Sequence, residues 1–237
     1  MSLIEYKMDD NVAIVTLNSG ENRFNPEFLD AFLNTLDDVE NNTDANVLMV
    51  QSSHEKIFSN GIDLEWLLPY VQNKDLDTCK AFFYKLNDLF KRVLMFPMPT
   101  IAAIAGHCFA GGAILSCAFD YRYMRTGRGF FCFPEVDLGI PFLPGMTALL
   151  KKAIPMYMVV DMQLTGLRLT AEECEKHHIV KKACPLEELL EEAIQFAKTL
   201  KKRRPVIQEL KKVMYKDIVH AIEVEDGPII ESGRLNV

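Results

Sequence analysis

Residues 101–120, IAAIAGHCFAGGAILSCAFD, constrain the fold more than any other stretch of the chain. Five apolar residues between Pro99 and Gly106 predict a short buried strand. Gly111 and Gly112 then precede an unbroken run of small apolar residues. Because a glycine pair at the start of a buried helix presents bare backbone N–H groups, this turn suits a developing negative charge. The alternative is a tight strand-to-helix turn packed in a core. Neither common phosphate-loop motif is present.

Composition indicates an ordinary globular chain and argues against several classes of function. Of the 237 residues, 49% are hydrophobic and 25% are charged, which fits one large domain or one domain with a small appendage. A net charge of −7 argues against nucleic acid as the main partner. No apolar run approaches the roughly 18 residues of a membrane span, and no signal-peptide layout is present. We therefore expect no membrane partner.

The cysteines and the last residues predict a cytoplasmic protein. The six cysteines show no C-x-x-C spacing, which favours reduced and mostly buried thiols. The chain ends in Leu-Asn-Val and not in a peroxisomal Ser-Lys-Leu signal. His177 and His178 are adjacent, but no further ligand has a suitable spacing, so no metal site is predicted.

Hydrophobic periodicity predicts strands that alternate with helices, followed by a helical last third. The predicted strands cover residues 4–7, 12–17, 45–51, 101–105, 121–125 and a short stretch near 179–183. The predicted helices cover residues 64–71, 75–95, 146–153, 156–164, 171–176, 186–200 and a stretch from 206 toward 223. An earlier helix has Asn25 as its N-cap, and residues 134–139 are predicted to be irregular.

Five segments in their order along the chain carry a resemblance to a known family. They are NRFN at 22–25, FSNGIDL at 58–64, the stretch from GHCFAGG to DYR at 106–122, FPEVDLG at 133–139 and LTG at 164–166. Together they resemble the crotonase, or enoyl-CoA hydratase/isomerase, family. The resemblance implies an α/β fold, a crotonase-like spiral of ββα units with a helical C-terminal subdomain. Residues 1–185 would form the core with the acyl-CoA site, and residues 186–237 a helical region involved in oligomerisation, as a homotrimer or a dimer of trimers.

The resemblance also implies an acyl-CoA thioester as the ligand, with CoA arriving as part of the substrate and no other cofactor. By position, the backbone N–H groups of Ile62 and Gly111 would form the oxyanion hole. Preorganised amides in a dry site stabilise an enolate oxygen by a few kcal/mol. The residues expected to bind substrate are Phe58, Ser59, Asn60, Gly61, Gly112 and Ile114.

The reaction is predicted from two positions that hold glutamates in the family's hydratases. Here the first is Ile114, which cannot transfer a proton, and the second is Glu135. A single carboxylate is the pattern of the family's enoyl-CoA isomerases, in which one base moves a proton from C2 to C4. The sequences around both positions resemble those of the short peroxisomal-type isomerases of plants. A carboxyl in a pocket lined by Phe131 and Phe133 should have a raised pKa.

Other functions remain open from the sequence. Hydration would need a second acid/base, for which Asp137 is the one candidate, and thioester hydrolysis or decarboxylation could use the same scaffold. A non-catalytic acyl-CoA binder or an RNA-binding relative is a different class, and the acidic charge disfavours RNA. Asp63 is interpreted as the cap of the following helix. Ala110, where many members have glycine, is interpreted as a mild departure, and residues 64–71 and 141–144 are expected to shape the pocket.

Overall fold

The computed structural model describes residues 2–233. The strands within this range are β1 (Ile4–Asp9), β2 (Val12–Leu17), β3 (Val47–Ser52), β4 (Ile57–Ser59), β5 (Thr100–Ile104), β6 (His107–Phe109), β7 (Tyr121–Arg125), β8 (Phe131–Cys132) and β9 (Lys182–Cys184). The helices of the first two thirds are α1 (Pro26–Asn42), α2 (Leu64–Gln72), α3 (Leu76–Leu94), α4 (Gly111–Ala118), α5 (Glu135–Leu138), α6 (Pro144–Ala153) and α7 (Met156–Thr165). The later helices are α8 (Ala171–Lys176), α9 (Leu186–Lys198), α10 (Arg204–Met214), α11 (Lys216–His220), a π-helical turn (Ala221–Glu225) and α12 (Asp226–Glu231).

The strands form two sheets, and a repeated unit contributes strands to both of them. The large sheet has the order β1-β2-β3-β5-β7-β9 and is parallel from β2 onward, while the small sheet has the order β4-β6-β8. From β3 to β8, the first strand of each repeat joins the large sheet, the second joins the small sheet, and a helix follows, whereas β1 and β2 both lie in the large sheet. This arrangement confirms the predicted α/β spiral of ββα units.

The large sheet is covered on both faces, as a parallel sheet requires. One core contains α1, α3, α4 and α6, and the second lies where Leu189, Ala193 and Ala197 of α9 pack on the other face of the sheet. All five residues of β5 are buried, which explains its continuous apolar sequence. The proposed division at residue 185 stays a prediction, although α9 belongs to the second core.

Helix α4 is the buried centre of the fold, and its two ends differ. All eight of its residues are buried. At its end, the partly buried Lys152 donates hydrogen bonds of 2.7–3.3 Å to the carbonyls of Cys117, Ala118 and Phe119. The buried guanidinium of Arg122 donates to the carbonyls of Ser116, Phe119 and Ile179. At its start, Ala110 supplies no side-chain cap. The first amides of the helix therefore stay available to a ligand.

Two predicted segments differ in the structure. The single helix expected from 206 toward 223 is wrong, because it ends at Met214 and resumes as α11 and the π-helical turn. Tyr215 is buried at the break, and its hydroxyl donates to Asp120 at 3.1 Å. Residues 134–139, predicted to be irregular, contain the helical turn α5, which ends at Gly139 in the left-handed conformation with φ 71°.

The remaining boundaries agree with the predictions to within a few residues, and both predicted caps are confirmed. The side chains of Asn25 and Asp63 accept hydrogen bonds from the third amides of α1 and α2. No helix within residues 2–233 is long and apolar enough to cross a membrane. The C-terminal tripeptide used in the prediction of localisation lies outside the described residues.

Candidate active site

An apolar cavity of about 170 Å³ lies between the start of α4, helix α5 and the first turn of α6. Its exposed rim includes Leu138 and Pro141, while Phe83, Leu143 and Met146 on its wall are buried. The other residues of the wall are Asn60, Ile62, Leu64, Phe109, Ala110, Gly111, Ile114, Pro134, Glu135, Ile140 and Phe142. Glu135 is the one ionisable side chain that lines this cavity among the described residues. The cavity therefore suits an apolar ligand that reacts with a carboxyl group.

The short connection from β8 to α5 determines the position of Glu135. This residue is the first of the helical turn, and the fixed φ of Pro134 before it suits a helix start. Its side chain is 7% exposed, and Oε2 is buried with no hydrogen-bond partner in residues 2–233. Burial raises the pKa of Glu135 to about 7, although a backbone amide hydrogen bond lowers it in part. The carboxyl is therefore poised to accept and return a proton near neutral pH.

The predicted oxyanion donors, Ile62 and Gly111, both line the cavity and lie on loops in direct contact. Phe24 pairs with Ile62 as a parallel bridge, in which it donates to the Gly61 carbonyl at 2.7 Å and accepts from the Asp63 amide at 3.0 Å. Because the bridge uses the groups on either side, the Ile62 N–H points away from it. Within residues 2–233 neither this N–H nor that of Gly111 has a hydrogen-bond acceptor. Their role as an oxyanion hole stays a prediction.

The two loops approach so closely that only glycine fits at their contact. A Cβ atom at Gly61, where φ is +75°, would collide with the amide nitrogen of Gly111. A Cβ atom at Gly112 would lie 2.5 Å from the carbonyl oxygen of Ser59. The hydroxyl of Ser59 donates to the Asn22 carbonyl at 2.7 Å and accepts from the Gly61 amide at 3.1 Å. Together these contacts fix the backbone that carries the two free N–H groups.

Only two of the six residues predicted to bind substrate lie on the cavity wall, Asn60 and Ile114. The structure places Phe58 and Ser59 in the fully buried interior. Gly61 and Gly112 lie behind the wall, at the loop contact just described. These four residues therefore support the backbone around Ile62 and Gly111, and do not themselves line the cavity.

Ala110 adopts a backbone conformation that the sequence does not reveal. Its φ is 50° and its ψ −130°, a region that L side chains rarely adopt. Holding a non-glycine residue there costs on the order of 1–3 kcal/mol. The departure at Ala110 therefore carries a backbone cost that the residue type alone does not show. The strain lies directly before the Gly111 N–H, on the wall of the cavity.

The aromatic neighbours of Glu135 also differ from the prediction. Phe131 and Phe133 are fully buried behind the site and do not line the cavity, whereas Phe109, Phe142 and Phe83 do. The predicted contributions of helix 64–71 and segment 141–144 do reach the wall, through Leu64 and residues 141–143. Phe83 and Met146 were not predicted to line the site, because an apolar residue on a helix has the same spacing whether it faces a core or a cavity.

The other candidate groups do not reach the cavity. Asp137 is exposed and faces Gly166, where a Cβ atom would lie 2.6 Å from its carboxylate oxygen. His177 is in contact with the hydroxyl of Tyr157 at 3.0 Å, and His178 is exposed. Among the residues that the structure describes, no group of three or more His, Cys, Asp or Glu side chains could hold a metal ion.

Comparison with known proteins agrees with this fold. The family model "Enoyl-CoA hydratase/isomerase" matches residues 7–225. The chain therefore belongs to the enoyl-CoA hydratase/isomerase family, also called the crotonase family. A crystal structure of a family member from Pseudomonas syringae has a TM-score of 0.88 at 24% identity and covers 99% of this chain and 98% of that one.

Several relatives with named activities are similar over most of their length. Enoyl-CoA delta isomerase 3 of Arabidopsis thaliana is 27% identical over 228 residues, which cover 92% of this chain and 94% of the relative. The peroxisomal enoyl-CoA delta isomerase 2 of the same plant is 31% identical over 183 residues, 75% of each chain. Carnitinyl-CoA dehydratase of Salmonella typhi is 32% identical over 198 residues, 84% of this chain and 72% of the relative.

Proposed function

We propose that this protein is an enoyl-CoA delta isomerase that converts 3-enoyl-CoA to trans-2-enoyl-CoA with Glu135 as its single base. The observation that carries the proposal is that Glu135 alone, among the ionisable side chains of residues 2–233, lines the cavity. Hydration of a double bond needs groups that both activate water and deliver a proton. Moving the double bond needs one group that removes a proton and returns it two carbons away.

The reaction would begin with the Glu135 carboxylate removing a proton from C2 of the 3-enoyl thioester. The electron pair of the broken C–H bond moves through C2, C1 and the thioester oxygen to form a dienolate. The N–H groups of Ile62 and Gly111 would stabilise the charge on that oxygen. The protonated Glu135 then returns its proton at C4, and the double bond comes to lie between C2 and C3. Ile114 and the aromatic wall would exclude the water that a hydratase requires.

The raised pKa of Glu135 supports this role because the group must act as a base and then as an acid. A carboxyl group with a pKa of about 7 is partly ionised at neutral pH and holds a transferred proton more tightly than an ordinary glutamate. Since only the ionised form can begin the reaction, kcat/KM should rise as pH increases through about 7 and then level off. Enoyl-CoA delta isomerases among the relatives also support this reaction.

The test is an assay of the purified protein on 3-hexenoyl-CoA and on trans-2-hexenoyl-CoA, with Glu135→Gln beside it. We expect conversion of the first to the 2-enoyl thioester, no hydration of the second, and a loss of about 1,000-fold or more in kcat for the variant. Asp137→Asn is the matched control, because this carboxyl lies two residues away and is exposed. It should keep the activity of the wild type within about twofold.

Three outcomes would overturn the proposal. Efficient hydration of trans-2-hexenoyl-CoA would mean that a second acid/base operates, and the argument from Ile114 would fail. Equal activity of Glu135→Gln and the wild type would show that Glu135 is not the base. If hexanoyl-CoA binds but neither enoyl substrate reacts, the protein is an acyl-CoA binder.

We also propose that the active form is a homotrimer or a dimer of trimers, that it uses no cofactor apart from the CoA of its substrate, and that it is cytoplasmic. Large apolar side chains that are exposed on α7, namely Met156, Tyr157, Val160 and Leu164, support association between copies. Light scattering on the purified protein tests the oligomeric state directly.

A further inference from the structure

Two helices bring together the buried wall of the cavity. Phe83 belongs to α3, and Leu143 and Met146 lie at the start of α6. These three side chains are buried, whereas the opposite rim at Leu138 and Pro141 is exposed. An acyl group that enters past the rim must therefore end against α3 and α6. The separation of the two helices sets the length of chain that fits.

A carboxylate from the end of the chain joins these same two helices. Oδ1 of Asp226 accepts a hydrogen bond from the Gly145 amide of α6 at 2.8 Å, and Oδ2 accepts from Nδ2 of Asn87 of α3 at 2.9 Å. Asp226 is 0% exposed. Gly145 and Asn87 lie one and four residues from Met146 and Phe83. The carboxylate therefore holds the two parts of the wall at a fixed separation.

At the start of α6, the Asp226 carboxylate takes the place of a side-chain cap. Leu143, at the N-cap of α6, provides no side-chain hydrogen bond to the first turn. The negative charge of Asp226 also favours its place at a helix start. Burying a carboxylate without a cationic partner is costly, and its contacts in residues 2–233 are neutral amides. Burial raises the pKa of Asp226 accordingly.

We propose that the site is built for acyl chains of about six carbons, that Phe83, Leu143 and Met146 set this limit, and that Asp226 is the positioning residue that holds them. The volume supports the size, because an apolar cavity of about 150 Å³ accommodates benzene, a six-carbon ligand, and this cavity measures about 170 Å³. The proposal rests on the proposed function only in taking an acyl-CoA thioester as the ligand. Asp226 does not line the cavity and has no part in proton transfer.

The experiment measures kcat/KM on 3-hexenoyl-CoA and 3-decenoyl-CoA, together with the affinity for hexanoyl-CoA and decanoyl-CoA. The wild type should prefer the six-carbon chain by about tenfold or more in both measurements. Phe83→Ala should reduce this preference to below threefold. Phe82→Ala is the matched control, because Phe82 is equally buried on α3 but does not line the cavity. This control should lose stability and keep the chain-length preference.

The role of Asp226 is tested with one variant that removes its hydrogen bonds and one that should restore them. Asp226→Ala should raise KM for 3-hexenoyl-CoA about fivefold and weaken the chain-length preference, with kcat within threefold. Asp226→Asn should restore the preference, because its carbonyl can accept from Gly145 and its amide can donate to Oδ1 of Asn87, which has no partner in residues 2–233. If Asp226→Ala does not fold, the asparagine variant and Phe83→Ala still decide the question.

The outcomes separate this inference from the proposed function. If no variant turns over any chain length but hexanoyl-CoA binds at least tenfold more tightly than decanoyl-CoA, the isomerase fails and the size limit stands. Equal affinity of the wild type for both thioesters overturns the inference even if isomerase activity is high. A change in preference that is the same in Phe83→Ala and Phe82→Ala also overturns it.

Discussion

The two ends of helix α4 show how one short element can serve both stability and function. At its C-terminal end, six hydrogen bonds from Lys152 and Arg122 reach four carbonyl groups of residues 116–119 and the carbonyl of Ile179. At its N-terminal end, the amide of Gly111 has no acceptor in residues 2–233 and lines the cavity. Helix ends normally find partners in side chains or water. The side chains of Lys152 and Arg122 secure one end, and the other end presents a backbone amide to the cavity.

The residue types at the two ends of α4 explain why one end is hydrogen-bonded and the other is not. Long cationic side chains can reach several carbonyls at once, so they suit an end that must not move. Glycines lack the side chain that would separate two loops, so they suit an end where backbone groups must face a ligand. Substitutions at the N-terminal end should therefore change activity first, and substitutions at the C-terminal end should change stability first.

The largest effect is expected for Gly61→Ala at the N-terminal end. The added Cβ would collide with the Gly111 amide nitrogen, and φ of +75° is unfavourable for alanine. Since both proposed oxyanion donors would move, we expect kcat to fall about 100-fold or more. Gly127→Ala is the matched control, because its φ is +71° and nothing lies within 4 Å of its added Cβ. It should lose a similar backbone contribution to stability and keep its activity. Equal loss in both variants would contradict a role for the loop contact.

At the C-terminal end, Arg122→Met should be the most damaging change for stability. It removes hydrogen bonds to three buried carbonyls, and we expect a loss of about 3 kcal/mol in the free energy of unfolding. Urea denaturation measures this loss. The folded fraction should keep kcat within about threefold, because the cavity lies at the other end of the helix. A fall of 100-fold in kcat would show that the two ends are not separable.

Glu135→Gln should make the protein more stable, although it removes the proposed base. The pKa of this carboxyl is raised from 4.5 to about 7 in the folded state, so ionisation opposes folding. The cost is absent below about pH 4.5, grows as pH rises to about 7, and stays constant above that. Ionising a carboxyl with a pKa of about 7 instead of 4.5 costs about 3 kcal/mol of folding free energy, and we expect the variant to gain on the order of 2 kcal/mol at pH 8. Unfolding free energies of both proteins at pH 4 and pH 8 measure it, and an equal difference at the two values would contradict the assignment.

The smallest effect is expected for Ala110→Gly, which relieves the backbone before the free amide. Glycine adopts the conformation at φ 50° and ψ −130° without the steric cost of a Cβ atom. We expect a gain of about 1 kcal/mol in the free energy of unfolding, reduced by the greater entropy of glycine in the unfolded chain. Ala113→Gly, inside the same helix, should instead lose about 1 kcal/mol. If both variants lose stability, the strain at residue 110 is not real.

Much of the fold and the reactive end of the site could be predicted from the sequence, because both depend on local patterns. The alternation of apolar runs with glycine turns predicted the six strands of the large sheet, but not β4, β6 and β8 of the small sheet. The resemblance of the motifs to the family placed Glu135, Ile62 and Gly111 in one site, and the structure brings all three to the same cavity. These segments carry their own signals in residue type and spacing.

The far wall of the cavity could not be predicted, because its causes are not local. Phe83 has the spacing of any core residue of a helix, and Asp226 has the sequence context of a surface acid. At the helix break, Tyr215 donates a hydrogen bond to Asp120, which lies 95 residues away in the chain. The conformational strain at Ala110 arises from its backbone dihedral angles, and these cannot be predicted from an alanine in the sequence. Sequence patterns reveal the periodicity of an element but not the partner it meets.

The contact of Asp226 with both helices also has a consequence for the order of events during synthesis. Its two hydrogen bonds join residues 81 and 139 positions apart in sequence, so they cannot form until nearly the whole described chain has left the ribosome. Contacts of such long range are also slow to form in folding. A nascent chain could therefore assemble its sheets and the loops around Glu135 while the cavity is still open at its far side. The far wall of the cavity would therefore be completed only after residue 226 has been synthesised. A prematurely terminated product would carry the Glu135 carboxyl without a complete pocket around it.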